Sequence, residues 1–216
     1  MKGIDPVALT FALGIFSLVP LILVTTTAFL KISIVLSLLR NALGVQQAPP
    51  NLAIYALAML LALYVMVPVG HKIAQAVSNE NDPTSSVKAL LSVTKKGVEP
   101  LREFLILNSK IDQRLFFLQT AKKLWPPEIA DDTTDKDMLI LMPAFVVSEL
   151  TAAFEIGFLL FLPFVVIDLV ISNILMAMGM MMVSPVTISL PLKLFLFVMI
   201  DGWSRLIHGL IQTYIH

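Results

Sequence analysis

Two groups of residues in this sequence are of types that could carry chemistry or a specialised mechanical role. The first group is a set of charged side chains inside long apolar stretches: Lys31, Glu149, Glu155, Asp168, Lys193, Asp201 and Arg205. The second is a run of methionines between two apolar segments: Met176, Met178, Met180, Met181 and Met182. Carboxylates at such positions could relay protons or ions through a membrane. Thioethers could bind copper or form a soft apolar surface.

The charged residues are expected to pair with one another, or to face protein or water. A charge at the centre of a bilayer costs roughly 2.5–3.5 kcal/mol on insertion scales. Asp201 and Arg205 are four residues apart, so they are expected to share a helix face with the acid first, the favourable order. Helical geometry does not place Glu149, Glu155 and Asp168 on one face. This favours structural pairing, with a proton- or ion-coupled transporter that uses these three carboxylates as the alternative.

The methionine run predicts a loop or a broken helix. Met180, Met181 and Met182 would point in three directions from a single helix, so they cannot all fill one core. Gly179 allows the backbone to bend. Non-helical backbone inside a membrane protein must line a cavity or be buried in protein, which predicts a deformable apolar seal around a pore. Copper binding is the weaker alternative, because no histidine or cysteine lies nearby.

No catalytic, metal or cofactor motif is evident. His71, His208 and His216 lack the His-x-x-x-His spacing of a helical metal site. Spacing alone does not rule out a Ser-His-Asp triad. The absence of cysteine excludes disulfides and a thiol nucleophile. The formal net charge of zero provides no global field for nucleic acid. We therefore expect no enzyme, no cofactor and no nucleic-acid partner.

The elements that position these residues are predicted to be membrane helices. The chain is 57% hydrophobic and only 14% charged, against about 45–50% and about 25% in soluble domains. Twenty of the 30 charges lie in residues 71–137. This distribution predicts three blocks: an N-terminal hydrophobic helical hairpin (1–70), a polar helical insert (71–137), and C-terminal hydrophobic helices with the methionine-rich loop (138–216).

In the first block, two helical spans are predicted. Val7–Leu30 reads as a retained helix, since no convincing small-residue cleavage site follows it. Leu52–Gly70 is the second uncharged run. Lys31 and Arg40 place the 40–51 turn in the cytoplasm by the positive-inside rule, and residues 71–137 therefore on the periplasmic side.

In the insert, helical periodicity predicts one helix that breaks near Gly97, a new helix with Pro100 in its first turn, and another over 111–124. The 45 residues of Met138–Met182 would form a helix of about 67 Å, twice a bilayer. They must therefore bend, fold back or leave the lipid, with kinks expected at Pro143 and Pro163. Breaks at Ser184–Pro185 and Pro191 precede a final helix over Lys193–Ile215.

Three stretches make the chain resemble a known family. They are Ser37–Asn51 ("SLLRNALGVQQAPPN"), Pro143–Pro185 ("PAFVVSELTAAFEIGFLLFLPFVVIDLVISNILMAMGMMMVSP") and Leu190–Trp203 ("LPLKLFLFVMIDGW"). They closely resemble the SctR/FliP family, the export-gate subunits of bacterial type III secretion systems and of the flagellum. The match runs nearly end to end, and only the insert is loosely patterned. The absence of a clear signal peptide favours the virulence-injectisome branch.

The resemblance implies an all-α subunit of membrane-type helical hairpins with a small extracytoplasmic insert. Such subunits form a pentameric helical ring at the bacterial inner membrane with SctS-like and SctT-like partners. Much of this assembly lies above the plane of the membrane, so the apolar helices need not cross lipid. The ring encloses a channel for unfolded protein substrates and is in contact with membrane lipid. The family's methionine loop, called a gasket, corresponds to Met180, Met181 and Met182, with Met176 and Met178 adjacent.

Overall fold

The structure is a computed structural model that describes residues 17, 20–45, 48–78, 87–180 and 182–215. All regular secondary structure in these residues is helical, so the predicted all-α fold is confirmed. The helices, in chain order, are α1 (described over Pro20–Thr26), α2 (Phe29–Leu43), α3 (Asn51–Ser78), α4 (Val87–Asn108), α5 (Ile111–Leu124), α6 (Pro127–Ala130), α7 (Met138–Ala177), α8 (Pro185–Met199) and α9 (Gly202–Gln212).

Two helices are long and apolar enough to cross a membrane, as expected of a membrane protein. These are Asn51–Ala76 within α3 and the whole of α7. Two interrupted pairs, α1 with α2 and α8 with α9, raise the number to four if each pair forms one span. Both long helices expose many large apolar side chains, among them Leu60 and Tyr64 of α3 and Phe158 of α7. Such surfaces require lipid or further protein to cover them.

The N-terminal helix is interrupted by threonine. The Thr27 hydroxyl donates to the Leu23 carbonyl at 2.6 Å, and its oxygen accepts the backbone N–H of Phe29 at 3.3 Å. A hydroxyl that bonds to nearby backbone groups competes with the helical hydrogen bonds. The expectation of one helix over Val7–Leu30 is therefore wrong in its described part. Residues 7–16, 18 and 19 lie outside the described residues.

Prolines interrupt the helices less than predicted. Helix α4 continues through Gly97 and Pro100, and α8 continues through Pro191, so the breaks expected there are wrong. Helix α7 passes Pro143 and Pro163 without folding back and has 40 residues, about 60 Å. An interior proline removes one hydrogen bond and costs about 3 kcal/mol, which neighbouring contacts can offset.

The C-terminal segment contains a break that the sequence analysis did not predict. Instead of one helix over Lys193–Ile215, α8 and α9 meet at an angle of 63°. Asp201 lies between them in the left-handed conformation, with φ 54° and ψ 47°. At the adjacent Gly202, a Cβ atom would lie 2.3 Å from the Phe197 ring. The bend thus combines an unusual backbone conformation with a close approach that only glycine permits.

The chain divides into two compact units. The first comprises Met1–Leu30, in its described part, and Val69–Val146. Its buried side chains include Leu105 of α4 and Leu141 of α7, and the rings of Phe104 and Phe145 lie 5.8 Å apart. The helices of the insert thus share an apolar core with the first turns of α7. The division into blocks 1–70, 71–137 and 138–216 rests on charge distribution and stays a prediction.

The second unit comprises Lys31–Pro68 and Val147–His216, the last residue outside the described part. Helix α2 forms much of its core, with Ile32, Val35 and Leu39 fully buried. Helix α7 approaches α2 closely at Gly157, where a Cβ would lie 2.3 Å from Leu38 Cδ1. This unit carries the charged residues and the methionines singled out above.

Candidate functional site: buried ion pairs and an exposed methionine loop

The first buried ion pair joins α2 to α7. Lys31 Nζ lies 3.0 Å from Glu149 Oε1, and the two side chains are only 5% and 3% exposed. Two charges removed from water to this degree are stable only with good geometry and further hydrogen bonds. Tyr214 contacts both members of the pair. Its hydroxyl donates a hydrogen bond to the other Glu149 oxygen, and its ring centroid lies 3.7 Å from Lys31 Nζ.

Tyr214 was missed by the sequence analysis. It follows α9, and nothing in its sequence neighbourhood marks it as the partner of an acid 65 residues away. Burial, and then the negative charge of Glu149, raise the pKa of the Tyr214 hydroxyl far above its usual value. The hydroxyl therefore stays protonated and keeps donating. Tyr214 ties the C-terminal end of the chain to the ion pair.

The second ion pair joins α8 to α7. Lys193 Nζ lies 2.6 Å from Asp168 Oδ2, and the Ser189 hydroxyl donates to Asp168 Oδ1 at 2.6 Å. Lys193 also donates to the carbonyl of Ala42 at 3.3 Å. This carbonyl lies in the last turn of α2, where the helix dipole favours a cation. The lysine is 5% exposed and the aspartate 39% exposed, so only one end of this pair reaches the surface.

The remaining charged candidates lie on the surface. Glu155, on α7, is exposed, as are Asp201 and Arg205. Asp201 caps α9 in a left-handed conformation, and its backbone carbonyl accepts the N–H of Arg205 at 3.1 Å. Its carboxylate accepts the hydroxyl of Ser204 at 3.1 Å. The structure therefore brings together four of the seven charged candidates, as two pairs within one unit.

The methionine loop begins where α7 ends in a glycine cap. Gly179 has φ 74°. Its N–H donates to the Met176 carbonyl at 3.0 Å, and the Met180 N–H donates to the Leu175 carbonyl at 2.9 Å. This pair of bonds is the Schellman arrangement, which needs a left-handed residue at the glycine position. The break predicted at Gly179 is confirmed. The loop runs to Ser184, where α8 begins with Pro185 at its first position.

The described methionines of this loop, and Met176 in the last turn of α7, are exposed. The relative exposure is 55% for Met176, 67% for Met178, 40% for Met180 and 100% for Met182. Met181 lies outside the described residues. These four side chains therefore do not fill the core of their own chain. Their exposure leaves flexible apolar groups available to another surface.

Within the described part of the chain, no group of three or more histidine and acidic side chains is close enough to hold a metal ion. His71 and His208 are both exposed, and His216 is outside the described residues. Of the candidate carboxylates, Glu149 and Asp168 are held in ion pairs with buried lysines. The arrangement is thus one of structural pairing and exposed apolar surface.

Comparison with known proteins matches the chain along nearly its whole length. The profile of the FliP family matches residues 12–210. The chain is 52% identical over 210 residues to the Yop proteins translocation protein R of Yersinia pestis, covering 97% of both chains. It is 45% identical over 211 residues to the harpin secretion protein HrcR of Erwinia amylovora, covering 98% of this chain and 97% of that one.

A third relative is the virulence protein YscR of Salmonella typhimurium, 45% identical over 213 residues and covering 97% of both chains. Identities of this size over almost complete chains show common descent and the same fold. The family resemblance noted from the sequence is therefore confirmed. The chain belongs to the FliP family.

Proposed function

We propose that this chain is a subunit of the export apparatus of a bacterial type III secretion system of the injectisome kind. The proposal is supported by relatives named for Yop protein translocation, harpin secretion and virulence. It is also supported by the all-helical, largely apolar fold. In this role the chain lies in the inner membrane with residues 71–137 on the periplasmic side.

The subunit acts by assembly and has no catalytic activity of its own. Further copies of the chain, five in the proposed ring, join SctS-like and SctT-like subunits around a channel for unfolded substrates. The large exposed apolar surface of α3 and α7 is compatible with such contacts. No cofactor takes part, and the energy for export comes from other components of the system.

The observation that carries the channel role is the exposure of the methionine loop. A core-filling function would bury these side chains, yet Met178 is 67% exposed and Met182 is fully exposed. Apolar side chains at a constriction exclude water and ions. Unbranched thioether chains can also move aside for a passing polypeptide. We infer that Met176, Met178, Met180, Met181 and Met182 form the seal of the pore.

The alternative is an ion-coupled transporter that uses Glu149, Glu155 and Asp168. Two of these carboxylates are engaged by lysines, Glu149 at 3.0 Å and Asp168 at 2.6 Å. Each of these two carboxylates is therefore engaged in an ion pair that joins two helices, which is the structural role expected from the sequence. The structure offers no observation that favours the transporter over the export channel.

The seal is tested by replacing Met180, Met181 and Met182 together with alanine in the assembled export complex. We expect normal assembly, with increased ion conductance in planar bilayers, because three smaller side chains widen the constriction. Export of substrate should continue at least in part. Replacement by phenylalanine, which is bulkier and stiffer, should slow export.

The matched control is a triple alanine replacement of methionines in helices: Met59, Met66 and Met199. These lie outside the loop and should leave the conductance unchanged. If the loop variant assembles normally and conducts no more than the parent complex, the sealing role is wrong. If instead the loop variant fails to assemble, the methionines serve packing between subunits.

A further inference from the structure

An apolar groove lies among α7, α8 and α9. It has a volume of about 400 Å³. Leu159 and Phe164 of α7, Phe197 of α8 and Leu206 of α9 line it, and its one charged lining residue is Arg205. The groove is open to the surface, and these walls offer mainly hydrocarbon. Their chemistry suits an extended apolar chain with an anion at one end.

Arg205 brings a positive charge to this groove. Its side chain is exposed, and no carboxylate lies within 4.0 Å of it among the described residues. The nearest acid in sequence, Asp201, accepts the Ser204 hydroxyl instead. A guanidinium carries five N–H donors in a planar fork and binds phosphate through paired hydrogen bonds. The groove therefore combines apolar walls with a phosphate-binding group.

Helix α9 is amphipathic. It turns away from α8 by 63°. Leu206 and Leu210 are buried on one side, while Arg205 and His208 are exposed on the other. Trp203 lies near its start, and tryptophan is enriched at the level of lipid headgroups. Amphipathic helices with aromatic and basic residues lie along the membrane interface.

We propose that this groove binds an anionic phospholipid. An acyl chain lies along the apolar walls, and the headgroup phosphate accepts hydrogen bonds from the Arg205 guanidinium. The positive charge and the hydrocarbon lining match the two parts of such a lipid. Basic pockets between membrane helices bind anionic headgroups in this manner. The inference rests on the membrane location of the chain and is independent of the proposed ring.

The test is native mass spectrometry of the full chain in mild detergent, titrated with phosphatidylglycerol or with phosphatidylcholine. We expect the wild type to bind phosphatidylglycerol more tightly, by about fivefold for one arginine near the headgroup. Arg205→Gln should remove this preference. Gly209→Leu should weaken binding of both lipids, because Gly209 lines the groove and its added side chain meets no atom within 4 Å of the Cβ.

Matched controls lie away from the groove. Lys122→Gln removes an exposed cation from α5, and Gly70→Leu adds a side chain at a glycine of α3 with equally open surroundings. Both should bind the two lipids as the wild type does. The proposal is overturned if Arg205→Gln keeps the preference, or if Gly209→Leu binds lipid normally. It is also overturned if the groove variants lower only the yield of the ring, since a second copy of the chain would then occupy the groove.

Discussion

Breaking the Lys31–Glu149 pair should be among the most destabilising single changes in the second unit. Glu149→Gln keeps the shape of the side chain and removes its charge, and Lys31→Met does the same for the lysine. In either variant one charge stays in a site where the side chains are 5% and 3% exposed. The other helix then offers that charge no counter-ion.

The expected size follows from burial. Removing one partner of a buried pair costs about 3–5 kcal/mol, whereas an exposed pair contributes about 0–1 kcal/mol. The protein contains both kinds: Lys72 and Glu103 are also 3.0 Å apart, but their side chains are 61% and 55% exposed. The N–O distance is the same, so burial is what should make the difference.

The assay is equilibrium unfolding of the purified chain in mixed micelles of increasing denaturing detergent. Glu149→Gln and Lys31→Met should each lower the free energy of unfolding by about 3–5 kcal/mol. The Lys31→Met/Glu149→Gln double variant should lose less stability than the two single variants lose together, because no unpaired charge remains in it. Lys72→Met and Glu103→Gln are the controls. Each should lower the free energy of unfolding by less than about 1 kcal/mol. If Glu149→Gln loses no more stability than Glu103→Gln, burial does not strengthen this pair.

Two further predictions concern topology and the bend before α9. In spheroplasts, an impermeant thiol reagent should label the Lys123→Cys variant in the insert. It should not label the Asn41→Cys variant near the cytoplasmic turn. Labelling of Asn41→Cys alone would show that the proposed topology is inverted. In thermal denaturation, Asp201→Gly should retain or slightly raise stability, since glycine adopts positive φ without strain, while Asp201→Val should lose about 1–2 kcal/mol. Equal midpoints for both variants would show that the left-handed conformation at this position carries no strain.

The sequence was informative where a local signal determines the structure. Gly179 predicted the end of α7, because a glycine at this position allows the left-handed cap that the structure contains. The apolar periodicity over 111–124 predicted α5 with the same bounds. The uneven distribution of charge predicted a polar helical insert, and α4, α5 and α6 are found there. In each case, neighbours in sequence carried the information.

The sequence was uninformative where contacts between distant residues decide. Lys31 and Glu149 are 118 residues apart, and their partner Tyr214 carries no signal of its own. Pro191 was expected to end a helix, yet α8 continues through it. The break at Asp201 was also not predicted: Asp201 adopts the left-handed conformation, and the Phe197 ring lies close to the neighbouring Gly202.

The most direct test of the channel role is site-specific photocrosslinking to a substrate stalled during export. A photoreactive amino acid is placed at Met182, which is fully exposed in the loop, and in a separate strain at Leu60, which is 66% exposed on α3. If the loop lines the export channel, the stalled substrate should crosslink from position 182 and not from position 60. Assembled complexes that yield no substrate crosslink from position 182 would contradict that role.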